Sequence, residues 1–448
     1  MPHAAPARRL PALLALACFI GAAFSAVAAD WPQHLGPTQD AVSAETGLLD
    51  AWPAGGPPEL WRHDVGVGFA GSAVVDGKVF LNDREMGVAD VLRVFDLDTG
   101  KELWSYRYEA PGRVNFPGSR STPSVTDTHV FITGGLGHVH AINRKTRKPD
   151  WSLNIYDRYP DDNKMFGFGI SPVVVDGLLL LSPTAQGDPV VVAVDPATGR
   201  PVWESQATLD TVHTHHTPVV RTMLGRRGIA CRDRERVYFI DIKTGETIWS
   251  HKVFDAKPGP HVTIPPITMV GEDLKSVAKV FVTNGYEDGS VLLTVRADGQ
   301  GGYDVREAHR IPEGGQVHPA IYDDGLLFLN INENANLRGR NLQGGLACID
   351  AATLDVRWRT RNQPNLNRGA TLLVDGKLIA FDGDTGELLL IQPDRGGFKL
   401  LSRFEALPPK GRSNNAWSPL VVSDGRLVVR DHRQIVCYDL REKIAIAP

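Results

Sequence analysis

Cysteine is scarce in this 448-residue chain, which contains only four. Cys18 lies in an apolar segment at the start, so three remain for the folded part: Cys231, Cys348 and Cys437. An odd, scattered set argues against a disulfide framework. Each of the three stands in a strand-like pattern, and we expect each to be a buried, small apolar residue.

Several other chemical signals are absent. There is no basic excess, since 48 Lys and Arg face 52 Asp and Glu, and the composition therefore gives no indication of nucleic-acid binding. No Ser/His/Asp triad pattern, phosphate-binding glycine loop or Walker sequence occurs, so hydrolase and nucleotide-enzyme functions have no support. After residue 29 no apolar run approaches the length of a membrane span.

The first 29 residues differ from the rest of the chain. Arg8 and Arg9 precede an apolar run over residues 10–27, which ends in the small residues Ala26-Val27-Ala28-Ala29. This pattern predicts a secretory signal peptide over 1–29, and the alternative is an uncleaved membrane anchor. Residues 30–58, here called the lead-in, are rich in Pro, Gly and Ala. We expect the lead-in to pack across one face of a domain spanning 59–448, with a short helical turn near 43–49; the alternative is a flexible tether.

A motif, Asp-x-x-Thr-Gly-x-x-x-Trp, recurs about every 50 residues along the chain. Clear copies begin at Asp96, Asp195 and Asp241, and degenerate copies begin at Asn143 and Asp350. Asp and Thr can bond to nearby backbone amides, and Gly supplies the left-handed residue that closes a turn. Asp-Gly pairs with the same spacing indicate hairpins and begin at Asp76, Asp176, Asp324, Asp375 and Asp424.

These signals predict an all-β fold of eight similar units. Each unit reads as a four-stranded antiparallel sheet that must stack on its neighbours, which gives an eight-bladed β-propeller. We expect the Trp that ends each motif to wedge between adjacent blades. The eighth unit lacks an outer strand, and residues 59–63 offer one. The N-terminal strand is therefore predicted to complete the last blade, because an open ring would leave an unpaired edge.

The repeats resemble the pyrroloquinoline-quinone (PQQ) repeat superfamily. The resemblance rests on the motif, on strand openings such as Ser171-Pro172-Val173-Val174 and Thr217-Pro218-Val219-Val220, and on the lead-in sequence Trp31-Pro32-Gln33-His34-Leu35-Gly36-Pro37. It covers nearly the whole of residues 30–448 and implies an exported bacterial protein of the periplasm or cell envelope.

Two branches of that superfamily suggest two functions. The resemblance to its non-catalytic propellers, such as the lipoprotein subunit of the outer-membrane barrel-assembly machinery, implies a binding or scaffold protein. The resemblance to its quinoprotein dehydrogenases implies a PQQ-dependent oxidoreductase that acts on an alcohol or a sugar, with PQQ and Ca²⁺ in the funnel of the ring. The chain has no adjacent cysteines, and no motif match transfers a catalytic Asp or a Ca²⁺ ligand set onto it. The binding function is therefore our leading hypothesis and the oxidoreductase the alternative.

The candidate site is the mouth of the ring, formed by residues that precede the inner strands. Loops from all units converge there, and we expect them to bind a protein segment or a small molecule. The candidate residues are Arg120, His213, His215, His216, His261, His318, Arg368, Asn415 and Trp417.

Three features of this mouth have alternative explanations. His213 and His215 would share one side of a strand and, with His261 or His318, could bind a divalent metal; otherwise they are polar channel residues bonded to one another, to backbone or to water. Arg120 and Arg368 could clamp a carboxylate or could form stabilising salt bridges. Trp417 could stack on a planar ligand or could pack in the core.

Overall fold

The structure is a computed structural model, and it describes residues 1, 29–161, 166–211, 215–255, 261–271, 274–332, 344–361, 363–408 and 415–442. Within these residues, eight antiparallel sheets of four strands form a closed ring, and the seventh is extended by the parallel strand β1 (Val42–Ser43). The fold is therefore the predicted all-β, eight-bladed propeller. No helix in the described ranges is long and apolar enough to cross a bilayer.

Two strands lie before the first complete blade: β1 (Val42–Ser43) in the lead-in and β2 (Glu59–Asp64) after it. The first four blades are β3 to β6 (Ser72–Val75, Lys78–Glu85, Ala89–Asp96, Glu102–Glu109), β7 to β10 (Ser124–Val125, His129–Thr133, His138–Asn143, Pro149–Asn154), β11 to β14 (Val173–Val175, Leu178–Leu181, Val192–Val194, Pro201–Glu204) and β15 to β18 (Val219–Met223, Arg226–Arg232, Arg236–Asp241, Thr247–Lys252). A short 3-10 helix, Ile155–Asp157, follows β10.

The fifth to seventh blades continue this order, and the eighth is completed from the start of the chain. They are β19 to β22 (Thr268–Val270, Ala278–Asn284, Gly289–Ala297, Tyr303–Ile311), β23 to β26 (Ile321–Asp323, Leu326–Ile331, Gly345–Asp350, Val356–Arg359), β27 to β30 (Thr371–Val374, Lys377–Phe381, Glu387–Gln392, Lys399–Glu405) and β31 to β33 (Val421–Ser423, Arg426–Arg430, Gln434–Asp439). The first strand of each blade lines the central channel, and the last lies at the rim.

The ring closes through β2. This strand pairs antiparallel with β33, with Arg62 opposite Val436, and the sheet order is β2-β33-β32-β31. The prediction that the N-terminal strand completes the last blade is confirmed. Closure satisfies the backbone edge of β33, which would otherwise be exposed.

The turns have the conformations and hydrogen bonds that the Asp-Gly pairs and the motif predict. Asp76 and Gly77 both have positive φ, 51° and 65°, as a type I′ turn between β3 and β4 requires. At the other turn of the same blade, Oδ1 of Asp96 accepts hydrogen bonds from the backbone N of Thr99 at 2.9 Å and from its hydroxyl at 2.7 Å. Both kinds of turn lie on the face at which the inner strands end.

The glycine and tryptophan of the motif meet across blade interfaces. Trp61 in the eighth blade packs on Gly100 of the first, and its Nε1 donates to the carbonyl of Leu97 at 2.8 Å. Trp151 lies in the same way against Gly199 of the following blade. Gly100 has φ 69°, and a Cβ built on it would lie 2.4 Å from Cγ of Trp61. The wedge prediction is confirmed, and the glycine both closes its own turn and receives the neighbouring indole.

Buried apolar clusters fill the spaces between consecutive sheets. The largest joins the seventh, eighth and first blades and includes Trp31 and Trp52 of the lead-in. Cys231, Cys348 and Cys437 are free thiols and are buried, as expected. Cys18 lies outside the described residues.

The lead-in packs across the face at which the inner strands end. Trp31 pairs with Val74 of β3 through two backbone hydrogen bonds, and β1 pairs parallel with β27. The amide side chain of Gln39 reaches the inner edge of the fourth blade, where it donates to the carbonyl of Pro218 and accepts from the N of Val220, both at 3.0 Å. The expected helical turn near 43–49 is wrong: Ser43 ends a strand that pairs with β27, residues 44–47 form no helix, and Leu48 makes an antiparallel bridge with Arg441.

Candidate functional site

A cavity of about 360 Å³ opens in the channel at the face where the inner strands begin. We call it the cup. All eight blades contribute to its lining, since the loop before each inner strand reaches it, and His34 of the lead-in lines it as well. Because the lead-in covers the opposite face, His34 lies at the inner end of the cup. The volume falls within the range of small-molecule sites.

Aromatic rings form one wall of the cup. Trp417 stacks on Phe69 with ring centroids 5.0 Å apart and an interplanar angle of 20°. Phe116 lies 5.8 Å from Trp417 and 6.4 Å from Phe166, and it is 46% exposed at the opening. These rings give the cup an apolar, aromatic wall against which a planar ligand can pack.

Arg120 stands at the opening. Its guanidinium donates to the carbonyls of Asn115 and Phe116, both at 2.6 Å, and to that of Gly118 at 3.2 Å, and it lies 5.9 Å from the centre of the Phe69 ring. Within the described ranges it pairs with no carboxylate. Burial, together with the nearby charge of Arg84, lowers the pKa of Arg120 to about 10, so the group remains a cation at neutral pH.

Arg368 supplies a second cation. Its Nε donates to Oε1 of Gln316 at 2.9 Å, and its guanidinium carbon lies 4.7 Å from the centre of the Trp417 ring. Burial lowers the pKa of Arg368. The part of the cup that the structure describes has no Asp or Glu in its lining, so its charge is positive.

Three histidines of the ring line the cup. Nε2 of His215 lies 2.8 Å from the carbonyl of Gly167, and the His261 ring stacks on Tyr286 with centroids 4.4 Å apart. Nε2 of His318 lies 3.0 Å from the carbonyl of Trp417, and burial lowers the pKa of His318 to about 4. His318 is therefore neutral at pH 7.

His34 comes from outside the ring. Its Nδ1 lies 3.3 Å from the hydroxyl of Thr122. Burial, and to a smaller degree the proximity of His318, lowers the pKa of His34 to about 3. This imidazole is therefore neutral over the whole physiological range.

The cup includes six of the residues that the sequence proposed for the mouth. They are Arg120, His215, His261, His318, Arg368 and Trp417.

Two further candidates, His216 and Asn415, lie elsewhere. His216 is buried outside the lining, and burial followed by the charge of Arg232 lowers its pKa to about 3. Asn415 does not line the cup but has positive φ, 49°, at the turn before Trp417. His213 lies outside the described residues, and so does any metal site that would need it. Among the residues that are described, no three His, Cys, Asp or Glu side chains are grouped to hold a metal ion.

Sequence reasoning missed several contributors to the cup, among them His34, Phe116, Phe166 and Tyr286. Phe116 and Phe166 lie in the connections that lead into the second and third inner strands, a few residues before the positions that were considered. An aromatic residue in each of two such connections was the signal that could have found them.

The chain was compared with known proteins. The family model described as outer membrane protein assembly factor BamB matches residues 41–159 and 88–337. The chain belongs to this family of PQQ-repeat propellers. The match spans most of the blades, so the family assignment rests on the repeat itself.

Relatives of this propeller include both enzymes and an assembly factor. A quinohemoprotein alcohol dehydrogenase from Comamonas testosteroni is 28% identical over 156 residues, which is 33% of this chain and 21% of that protein. Its crystal structure aligns with a TM-score of 0.63 at 12% identity, over 94% of this chain and 82% of that one. BamB from Moraxella catarrhalis aligns with a TM-score of 0.59 at 13% identity, over 87% and 99%. At these identities the structural likeness shows the fold alone, and the sequence match spans about a fifth of the dehydrogenase.

The cup fits part of what a PQQ site would require. The aromatic side chains of Phe69 and Trp417, with Arg120 and Arg368 near their rings, suit a planar, carboxylated ring system. Ca²⁺ requires several oxygen ligands, usually including carboxylates, and hydride abstraction requires a carboxylate base. No carboxylate lines the described part of the cup, so its residues do not fit the cation or the base.

Proposed function

We propose that this PQQ-repeat propeller is a non-catalytic binding protein of the cell envelope that takes a small aromatic acid into the cup. The aromatic ring of the ligand would pack against the wall of Phe69, Phe116 and Trp417, and its carboxylate would meet Arg120. The observation that carries the proposal is the cation of Arg120 at an aromatic opening where the described lining offers no carboxylate.

The chemistry of Arg120 supports an anionic ligand. A guanidinium has five N–H donors, and the three carbonyl contacts leave two for a ligand. Hydrogen bonds between charged groups are stronger than neutral ones, and burial strengthens them further. A carboxylate that enters the cup would satisfy donors that are otherwise only partly used.

Location in the envelope follows from the first 29 residues, for which we propose a signal peptide. In this proposal residues 59–448 act as the binding domain and the lead-in, residues 30–58, as an added part of its site. The similarity to an outer membrane protein assembly factor supports a binding role, since the two chains share their fold over most of their lengths.

The proposal is tested by equilibrium binding, followed through intrinsic tryptophan fluorescence, to which Trp417 near the opening contributes. Cinnamate and benzoate are compared with their neutral amides, and Arg120→Gln is compared with Arg306→Gln, which removes an exposed cation on the outer strand β22. We expect the acids to bind more tightly than the amides and Arg120→Gln to weaken acid binding by about 10-fold or more, because hydrogen bonds to charged groups contribute ~1.5–3 kcal/mol. Equal affinity for acids and amides would contradict the proposal.

A second function is favoured by the aromatic wall with two arginines and by the stretch that is 28% identical to the dehydrogenase. Under this second function the protein would be a PQQ-dependent oxidoreductase that acts on alcohols or sugars. PQQ would supply hydride acceptance, while Phe69 and Trp417 would hold its ring and the arginines its carboxylates. Adding PQQ with Ca²⁺ to the protein and measuring cofactor absorbance and dye reduction with alcohols and sugars separates the two. Tight PQQ binding with turnover would replace the binding function.

A further inference from the structure

The inner end of the cup is built by the lead-in rather than by the ring. Trp31 is fixed to Val74 by backbone hydrogen bonds of 2.7 and 2.8 Å, and the carbonyl of Pro32 accepts from the N of Val125 at 2.8 Å. Gln39 fixes the other end of the same stretch to the fourth blade. His34 therefore lies between anchors on three different blades.

His34 presents a polar atom to the cup. Its Nδ1 faces the hydroxyl of Thr122, and in the part of the chain that the structure describes its Nε2 has no hydrogen-bonding partner. Because the imidazole is neutral, one nitrogen is a donor and the other an acceptor, and the hydroxyl of Thr122 can complement either arrangement. Nε2 can therefore donate to a ligand or accept from it.

The two ends of the cup thus differ in character. Arg120 is a cation at the opening, whereas the inner end carries the neutral imidazole of His34. A positive charge on a ligand would be desolvated at the inner end without a carboxylate among the described lining residues, which is costly, and the neutral imidazole of His34 offers no charge to an anion. An uncharged polar group would instead gain a hydrogen bond there.

We propose that His34, contributed by the lead-in, is a ligand-binding residue that recognises an uncharged hydroxyl at the far end of an aromatic acid. The ligand class is the hydroxylated aromatic carboxylates: the carboxylate meets Arg120, the ring stacks on the aromatic wall, and the hydroxyl reaches Nε2. A hydroxyl suits the site because it can donate or accept and so matches either tautomer of His34. This inference rests on the proposed function and adds the ligand class to it.

The test compares 4-hydroxycinnamate with cinnamate, and 4-hydroxybenzoate with benzoate, on the full chain by calorimetry. We expect the wild-type protein to bind the better-fitting hydroxylated acid about 5- to 10-fold more tightly than its parent, since a net hydrogen bond contributes ~1 kcal/mol. His34→Phe keeps a planar ring but removes the hydrogen bond, so it is expected to bind both members of the pair equally. His34→Gln retains a donor and an acceptor and should keep part of the preference.

His309→Phe is the control, because His309 is exposed on the outer strand β22 and lies away from the cup. Binding of the parent acid shows that the cup of a variant is intact. Equal binding of the two acids by the wild-type protein, or an unchanged preference in His34→Phe, would overturn this inference while leaving the proposed function in place. If no aromatic acid binds the wild-type protein, the proposed function fails and this inference fails with it.

Discussion

Replacing Gly100 with alanine should weaken the closure between the first and eighth blades. Gly100 has φ 69°, and an added Cβ would lie 2.4 Å from Cγ of Trp61, well inside contact distance. The left-handed conformation costs a residue with a Cβ ~1–2 kcal/mol. Forcing the indole aside costs a further ~1–3 kcal/mol, as in other overpacked cores. We therefore expect a loss of about 2–5 kcal/mol in the free energy of unfolding.

Gly77 in the same blade provides the matched control. Its φ is 65°, and a Cβ there would meet no atom within 4 Å. Gly77→Ala carries the backbone cost alone, about 1–2 kcal/mol. The difference between the two variants isolates the contact with Trp61.

Urea unfolding followed by intrinsic fluorescence measures both variants, and an unchanged dependence on urea concentration would show that the same transition is compared. Trp61→Leu provides space for the new methyl group, so the cost of Gly100→Ala should be smaller in that background. Equal midpoint shifts for Gly100→Ala and Gly77→Ala, or full additivity with Trp61→Leu, would refute the view that the motif glycine receives the neighbouring indole.

Two further predictions concern the lead-in and the buried imidazoles. Gln39→Ala removes the side chain that donates to the carbonyl of Pro218 and accepts from the N of Val220. We expect it to lower the free energy of unfolding, measured by urea unfolding, by about 2 kcal/mol or more, because two buried backbone groups lose these hydrogen bonds. The same measurement on Thr38→Ala, at an exposed position, should show a change of less than about 0.5 kcal/mol. His216 and His318 have pKa values lowered to about 3 and about 4, against an unfolded value near 6.5, so between pH 6.5 and 4 the unfolded state binds more protons. Stability should fall as the pH drops through this window, by up to about 1.4 kcal/mol per pH unit for each such residue, and a midpoint in urea that is constant from pH 7 to pH 4 would contradict this.

The ring could be predicted from the sequence because its signals are local and repeated. Asp-Gly specifies a type I′ turn through the backbone conformations that Asp76 and Gly77 tolerate, and the structure has those conformations. The spacing of the motif then fixes the number of blades. The pairing of β2 with β33 could also be predicted, because the eighth unit lacks an outer strand and residues 59–63 at the start of the chain supply one.

The composition of the cup could be predicted only in part, because it depends on contacts between distant segments. Residues just before the inner strands were identifiable by their phase in the repeat, and Arg120 and His318 are examples that line the cup. Phe116 approaches Trp417 only because of the path that a long connection takes between two blades. That path depends on side-chain packing, which has no periodic signal in the sequence.

The position of His34 could not be predicted from the repeats, because it depends on contacts between the lead-in and three inner strands. A propeller channel is open at both ends unless something fills it, and an open channel offers a ligand no inner end to bind. The bonds of Trp31, Pro32 and Gln39 to three inner strands put a short segment across one end, and a single imidazole then lies where a ligand entering from the other end would stop. None of these bonds uses the repeat, so two propellers with the same blades can differ in whether they contain a closed site. For this reason the residues that precede the first blade, rather than the blades, give this ring a site with two chemically distinct ends.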